Sequence, residues 1–387
     1  MKVPKVAIQL VSTGGLYGAE RALLELAGYL CDQGWESHVV ALEGQGAGAL
    51  AERATMQGLQ AEAFVSVGRL GLLPMVARLR QLLARYPRAI VHSHGYKPDI
   101  LLTWLRVPRR MACVATCHNW ISDTLKLRVW EALDKRALRH FDHVVAVSPA
   151  IAQQLAVSGV SPERLSVIDN GIRVPFAEEG ARAAVRAELN LSPEERLLVY
   201  IGRLARSKRI DLLLQAVAQL AEARHTHLLL AGEGDQRAPL SEQASRLGLG
   251  QRVHFCGYRS DVGRLLAAAD LMVLSSEREG LPISILEAMA ARCPIVTTCV
   301  GAIPSVLTDG NDAWLVPANE PNGLCLAIND ALGRPEVAIA RAENAYVKYA
   351  RHYSRDSMGA RYLRLYEEIW TRRQVHWPGT GPVTERH

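Results

Sequence analysis

Apolar residues along this chain fall into short continuous runs, separated by longer stretches with a helical period. The first run is residues 6–11, VAIQLV. Residues 19–33 follow, with apolar positions three and four apart and Gly34 just beyond, which predicts a helix with a glycine stop. Strand-like runs return at residues 37–42, 90–92, 111–116 and 143–147. A second series occupies residues 197–202, 227–231, 253–256, 271–274 and 295–297. These runs lack the polar alternation of a sheet with one wet face. Both faces are therefore expected to be covered by helices, which points to parallel strands. Between the two series, residues 169–196 begin polar and Gly/Pro-containing, and a linker is placed near residues 170–175. The pattern predicts an α/β protein of two doubly wound domains, residues 1–172 and 173–354. A last helix at about residues 355–373 is long enough to pack back on the first domain. The tail from His376, with Pro378, Gly379, Gly381 and Pro382, is expected to fray.

Composition narrows the class. With 387 residues, 49% hydrophobic and 22% charged, the chain can build two cores, and large-scale disorder is excluded. No run reaches the roughly 18 apolar residues of a membrane span, and the opening MKVPKVAIQLVSTGG has too short an apolar run for a signal peptide. A cytoplasmic protein is expected, with any membrane contact peripheral. Seven scattered cysteines, none paired at a two-residue spacing, suggest reduced thiols. The net charge of +6 is uneven: from Arg69 to Arg139 fourteen Lys/Arg face four Asp/Glu, a local balance of +10 that leaves −4 elsewhere. This stretch reads either as a solvated basic surface or as a face for an anionic partner such as a membrane, a lipid phosphate or an acidic glycan. No nucleic-acid motif accompanies it, so nucleic acid is not an expected partner.

Ligands of open α/β sheets bind at the carboxyl ends of strands, beside helix N-termini. After the first run, Gly14, Gly15 and Gly18 form either a tight turn or a loop that approaches a phosphate or sugar. His118, with Asn119 and Trp120, follows the run at 111–116; His92 and His94 follow another and are weaker candidates. Gly202-Arg203-Leu204 leaves the first run of the second series, and Lys208 is placed just inside the next helix. Two cations beside a helix start suit a diphosphate. Gly232, Gly234, Gly257 and Tyr258 lie in loops where backbone could meet a base. The most informative segment is SSEREGLPISILEAMA, residues 275–290. Glu279 precedes Gly280 and Leu281 in a loop, and Pro282 pre-sets the first turn of a helix. Glu287 falls about a turn and a half into that helix. One reading makes Glu279 a helix-start charge and Glu287 an exposed helix residue. The other makes them two carboxylates that divide roles in one pocket.

Taken in order, these pieces resemble the family-4 glycosyltransferases (group 1), whose GT-B fold sets two Rossmann-like domains face to face across a central cleft. The resemblance covers nearly the whole chain and is strongest from Leu197 to Val316. It rests on Glu279-Gly280-Leu281-Pro282 followed by Glu287-Ala288-Met289-Ala290, on Gly202-Arg203-Leu204 with Lys208 and Asp211, and on Asn170-Gly171-Ile172. Two departures stand out: Arg209 where the family usually has glycine, and Arg173 where it usually has Asp. The resemblance implies a retaining hexosyltransferase with an acceptor-side first domain and a donor-binding second domain. Arg203 and Lys208 would hold the donor diphosphate, with Gly14 and Gly15 approaching it. Glu287 would bind the ribose. Glu279, with Gly280 and Leu281, would contact the transferred sugar. His118 matches the active-site histidine. No metal or cofactor is implied, and no Asp-x-Asp clamp is present. The donor would be a UDP-sugar or, second, a GDP-sugar; the acceptor would be a glycan or lipid-linked sugar in polysaccharide, lipopolysaccharide or glycolipid synthesis. Several family members work at membranes through their first domain. Residues 70–83, with Leu72, Leu73, Met75, Val76, Leu79, Leu82 and Leu83 beside Arg78 and Arg80, are then either an interfacial helix or a helix packed on the sheet with its arginines outward. Arg85, Arg106, Arg109 and Arg110 would add to the same field. The rival readings are a sugar-nucleotide epimerase or phosphorylase of the same fold and a non-catalytic nucleotide-sugar-binding protein.

Overall fold

The computed structural model describes residues 4–12, 18–42, 46–64, 72–109, 111–118, 125–174 and 177–374. The chain divides into two compact units, Met1–Gly171 with Arg355–His387, and Ile172–Ser354. The first holds a seven-stranded parallel sheet: β1 (Val6–Ser12), β2 (Glu36–Leu42), β3 (Gln60–Phe64), β4 (Ile90–His94), β5 (Ala112–Cys117), β6 (His143–Ala146) and β7 (Leu165–Val167), in the order β3-β2-β1-β4-β5-β6-β7. The second holds six parallel strands: β8 (Arg196–Ile201), β9 (Thr226–Ala231), β10 (Val253–Gly257), β11 (Leu271–Leu274), β12 (Ile295–Thr298) and β13 (Trp314–Val316), in the order β10-β9-β8-β11-β12-β13. Central strands are buried on both faces, as their unbroken apolar runs require. The pattern misses three strands. β3 alternates exposed and half-buried positions near the sheet edge, and β7 and β13 are only three residues long.

In each sheet the strand order reverses at one place, β1 beside β4 and β8 beside β11. Loops leaving such a pair diverge to opposite faces and open a crevice at the carboxyl ends, where this fold type binds ligands.

The helix Arg355–Gln374 belongs to the first unit. Its Met358, Tyr362, Leu365, Tyr366, Ile369 and Trp370 are buried against Ala7, Leu26, Trp35, Ile90 and Val114. Trp35 meets Tyr366 and Trp370 with ring centroids 5.5 and 5.7 Å apart. At the boundary, Ile172 N–H donates to the Tyr353 carbonyl at 3.0 Å and the Tyr349 hydroxyl donates to the Ile172 carbonyl at 2.7 Å.

The helix Leu72–Arg85 buries Met75, Val76, Leu79, Leu82 and Leu83 in the first core. Arg78 lies over the Phe64 ring, 4.9 Å from its centroid, with its charge toward solvent. The apolar face of this helix is thus occupied by the sheet. Leu73 is its exposed apolar residue among those described, so the interfacial-stripe reading is corrected to a packed helix with arginines outward. No helix of the described residues is long and apolar enough to cross a membrane.

Candidate active site

In the second unit the constellation lies at the β8/β11 reversal. β8 ends at Ile201, and the chain turns through Gly202 and Arg203 into a short 3-10 turn, Arg206–Lys208. β11 runs into Ser275-Ser276 and the loop that carries Glu279. The two exits are tied together. The Ser275 hydroxyl donates to the Lys208 carbonyl at 2.9 Å, and Glu277 N–H donates to the Ser207 carbonyl at 3.0 Å. Lys208 Nζ then reaches both carboxylate oxygens of Glu279 at 2.6 Å, and the Ser276 hydroxyl donates to Glu279 Oε1 at 2.6 Å. Three charge-assisted bonds converge on one carboxylate whose side chain is only 8% exposed, so Glu279 is held rather than left as a solvated helix-start charge. Below the pair, buried Tyr200 donates its hydroxyl to the Arg203 carbonyl at 3.0 Å. Burial first, and then the nearby Glu279 carboxylate, raise the pKa of this phenol. The Arg203 side chain is exposed and makes no ion pair among the described residues.

Two placements differ from the sequence reading. Lys208 precedes the helix Ile210–Ala218 rather than lying in it, because Arg209 adopts the left-handed conformation, φ 47° and ψ 40°, and breaks the chain direction between them. Pro282 is the residue before the helix Ile283–Ala290 rather than part of its first turn, since its ψ of 127° is extended. Arg209 holds its conformation through side-chain contacts. Its guanidinium grips the Asp211 carboxylate with two bonds of 3.1 Å, bonds Asn319, and stands 3.8 Å from Glu277. Glu287 is the fifth of the eight residues of the helix Ile283–Ala290 and is buried, which removes the reading of it as an exposed helix residue.

The glycine loops serve packing. A Cβ on Gly232 would stand 1.9 Å from the Gly202 carbonyl oxygen, and one on Gly234 would stand 2.1 Å from that of Leu204. Backbone bonds from Gly232 N–H to the Gly257 carbonyl (2.7 Å) and from Leu204 N–H to the Glu233 carbonyl (2.8 Å) stack the exits of β8, β9 and β10. Gly301, missed in the sequence, does the same for Glu279. At φ 59° its missing Cβ would sit 1.9 Å from the Glu279 carbonyl oxygen, and Ala302 N–H donates to the Gly280 carbonyl at 3.1 Å. The Thr298 hydroxyl adds a 2.6 Å bond to the Ser276 carbonyl. Gly280 faces open space where a Cβ would be, Leu281 packs against the core, and Tyr258 is largely exposed.

In the first unit, Gly14, Gly15, Asn119 and Trp120 lie outside the described residues. His118 follows β5 directly and is half-buried. His92 and His94 are inside β4 rather than after it, both buried. His94 Nδ1 lies 3.3 Å from His118 Nε2, with the rings stacked at 5.6 Å. His94 Nε2 lies 3.0 Å from Gln9 Oε1, and His92 bridges Tyr366 (2.6 Å) and Thr116 (2.7 Å). Burial disfavours the charged rings, lowering His92 to about 3 and His118 to about 4 and holding His94 well below the usual histidine range. His118 therefore offers a neutral imidazole at a strand's carboxyl end.

Two family models match this chain. The model for glycosyl transferases group 1 matches residues 181–352, and that for Glycosyltransferase Family 4 matches residues 17–174. The chain belongs to this glycosyltransferase family. Among curated relatives, it is 27% identical over 350 residues to the lipopolysaccharide core biosynthesis glycosyltransferase LpsE of Rhizobium meliloti, covering 90% of this chain and 95% of that one. It is 25% identical over 305 residues to the N-acetyl-alpha-D-glucosaminyl L-malate synthase of Bacillus anthracis, covering 77% and 79%. Among solved structures, Anabaena HepE in complex with UDP superposes with a TM-score of 0.82 at 23% identity, over 94% of this chain and all of that one. The fold is GT-B.

Proposed function

We propose that the protein is a retaining hexosyltransferase that moves a sugar from a nucleotide-sugar, a UDP-sugar first and a GDP-sugar second, to a glycan or lipid-linked acceptor in cell-envelope polysaccharide or glycolipid synthesis. The observation that carries this reading is the Lys208–Glu279 pair at the β8/β11 reversal. A cation suited to a diphosphate stands there directly beside a carboxylate suited to the adjoining sugar, which supports the reading. Arg203, exposed at the same strand exit, is the second diphosphate cation. Glu287 is the ribose ligand, and the loops at Gly232, Gly234, Gly257 and Tyr258 receive the base. Gly280 and Leu281 meet the sugar through their backbone.

In this reading the bond between the anomeric carbon and the diphosphate oxygen lengthens first. Lys208 and Arg203 take up the negative charge on the departing phosphate, the role a divalent ion has elsewhere. Glu279 stabilises the positive charge that grows at the sugar ring. The acceptor hydroxyl attacks from the face the phosphate leaves, and its proton passes to the departing phosphate oxygen. A bond is broken and made on one face, so the configuration is retained. HepE was solved with UDP, and LpsE is named for lipopolysaccharide core synthesis, which supports the donor and acceptor classes.

A thermal-shift screen of nucleotide-sugars, followed by transfer assays on glycan and lipid-linked acceptors, tests the proposal. Nucleotide release that needs acceptor, persists in a chelator and yields product of the donor's anomeric configuration is the expected result. Release without acceptor would instead indicate an epimerase-like reaction, and an inverted product would overturn the mechanism.

A further inference from the structure

Six buried side chains of the first unit form a hydrogen-bonded chain that ends on His118. Gln9, His92, His94, Thr116, Tyr362 and Tyr366 are all at most 5% exposed. Gln9 stands opposite His92 across β1/β4, and His94 opposite Thr116 across β4/β5. Tyr362 and Tyr366, one turn apart on the C-terminal helix, meet this face from above. The contacts are Gln9 Nε2 to Tyr366 Oη at 3.1 Å, Tyr366 Oη to His92 Nδ1 at 2.6 Å, His92 Nε2 to Thr116 Oγ1 at 2.7 Å, Thr116 Oγ1 to Tyr362 Oη at 2.8 Å, Gln9 Oε1 to His94 Nε2 at 3.0 Å, and His94 Nδ1 to His118 Nε2 at 3.3 Å. His118 Nδ1 is itself buried and has no hydrogen-bond partner among the described residues.

A neutral imidazole carries one N–H and one lone pair, so each ring passes on the direction of the bond it receives. All three rings are neutral, because burial depresses their protonation. Gln9 uses its amide N–H on Tyr366, so its carbonyl faces His94 and accepts only. His94 must then hold its proton on Nε2, which leaves Nδ1 as a lone pair. That lone pair needs a donor, so His118 holds its proton on Nε2. The second arm agrees. Tyr366, having accepted from Gln9, donates to His92 Nδ1; His92 Nε2–H donates to Thr116, and Thr116 to Tyr362. Turning the Gln9 amide over would reverse every bond and move the His118 proton to Nδ1.

We propose that Gln9, anchored by Tyr366, is a positioning residue that holds His118 as the Nε2–H tautomer, so that Nδ1 of His118 keeps a bare lone pair able to accept a hydroxyl of a sugar substrate. The sugar contact rests on the proposed function; the tautomer does not. The C-terminal helix thereby acts on the reaction through a relay of fixed hydrogen bonds, without touching substrate.

The test is a long-range 1H–15N correlation spectrum of histidine-15N-labelled full-length protein at neutral pH, with the His118 signals assigned by their loss in His118→Asn. The wild type should show a protonated Nε2 and a bare Nδ1 on His118. Gln9→Met and Tyr366→Phe should mix the two tautomers and lower kcat about tenfold, with the donor KM changed by less than about threefold. Tyr362→Phe removes a hydroxyl from the same helix but leaves Gln9 anchored, and should keep the wild-type tautomer. A protonated Nδ1 in the wild type, or a His118 tautomer unchanged in both Gln9→Met and Tyr366→Phe, would overturn the inference. A shifted tautomer with unchanged kcat would uphold the positioning role of Gln9 and remove His118 from the proposed chemistry instead.

Discussion

Replacing Glu279 by glutamine should move two measurements in opposite directions. Lys208 is already a neutralised cation, since its Nζ sits 2.6 Å from both oxygens of Glu279, with side chains 20% and 8% exposed. A diphosphate arriving at Lys208 must share that ammonium with the carboxylate. At 2.6 Å the Coulomb attraction is about 6 kcal/mol at an effective dielectric of 20 and ~1.6 kcal/mol at that of water. Taking only the water-like value as what the diphosphate recovers, Glu279→Gln should bind the free nucleoside diphosphate roughly tenfold more tightly. Turnover should fall about a hundredfold, the scale of losing one charge-stabilising group at a reacting centre. Isothermal titration with UDP and GDP gives the first quantity, and initial rates with the preferred donor give the second. Binding and turnover falling together would show that Glu279 and the diphosphate do not compete for Lys208. Wild-type-like turnover would take Glu279 out of the chemistry altogether.

Four further outcomes follow from the same geometry. Lys208→Ala should weaken nucleoside diphosphate binding by about 1.5–3 kcal/mol, the worth of a hydrogen bond to a charged group, as read by the same titration. Arg209→Gly relieves a left-handed backbone but loses the grip on Asp211 and Asn319; thermal stability should change by less than about 1 kcal/mol while the donor KM rises several-fold, and a large stability loss would refute this balance. Acid should destabilise the fold. His92, His94, His118 and His143 have folded pKa values below the usual 6.5, so the unfolded chain binds more protons and stability falls as pH drops through 6.5, by about 2 kcal/mol per ring at pH 5. Asp99, which burial and Asp134 push upward, works in the opposite sense and offsets part of the loss; urea midpoints at pH 7.5 and 5 measure the net. Flotation with anionic liposomes should show salt-sensitive binding that weakens in an Arg78→Glu, Arg80→Glu double variant, and salt-insensitive or absent binding would return these arginines to plain surface.

Much of the architecture is written in the apolar runs, because strands buried on both faces admit few polar residues. β3 escapes that reading since one of its sides is wet, and β7 and β13 escape it through their length. In the second unit the charged residues Arg203, Lys208, Glu279 and Glu287 stand out by spacing. Their supports do not. Ser275 and Ser276 look like ordinary residues of a strand exit, and Gly301 lies more than twenty positions from the carbonyl it lets approach. The first unit was less legible still. Gln9 and Thr116 each interrupt an apolar run with one polar residue and His92 ends one, which reads as noise until the strands are placed side by side. Tyr362 and Tyr366 reach them from more than two hundred positions away, and periodicity within a helix carries no trace of such a partner.

The discontinuity of the first unit sets an order on synthesis. Ile172–Ser354 is one unbroken stretch and can complete its core as soon as it has left the ribosome. The earlier unit cannot. Trp35, Ile90 and Val114 wait for Met358, Tyr362, Tyr366 and Trp370, which are made only after Ile172–Ser354. For the whole time that Ile172–Ser354 is being translated, one face of the older sheet stays open, and Gln9 and His92 lack the hydroxyls that later settle them. A nascent chain that stops before residue 355 would release a finished second unit joined to an unfinished first one. Completion of the helix Arg355–Gln374 thus acts as a checkpoint, after which the buried histidines of the first unit acquire their hydrogen-bond partners.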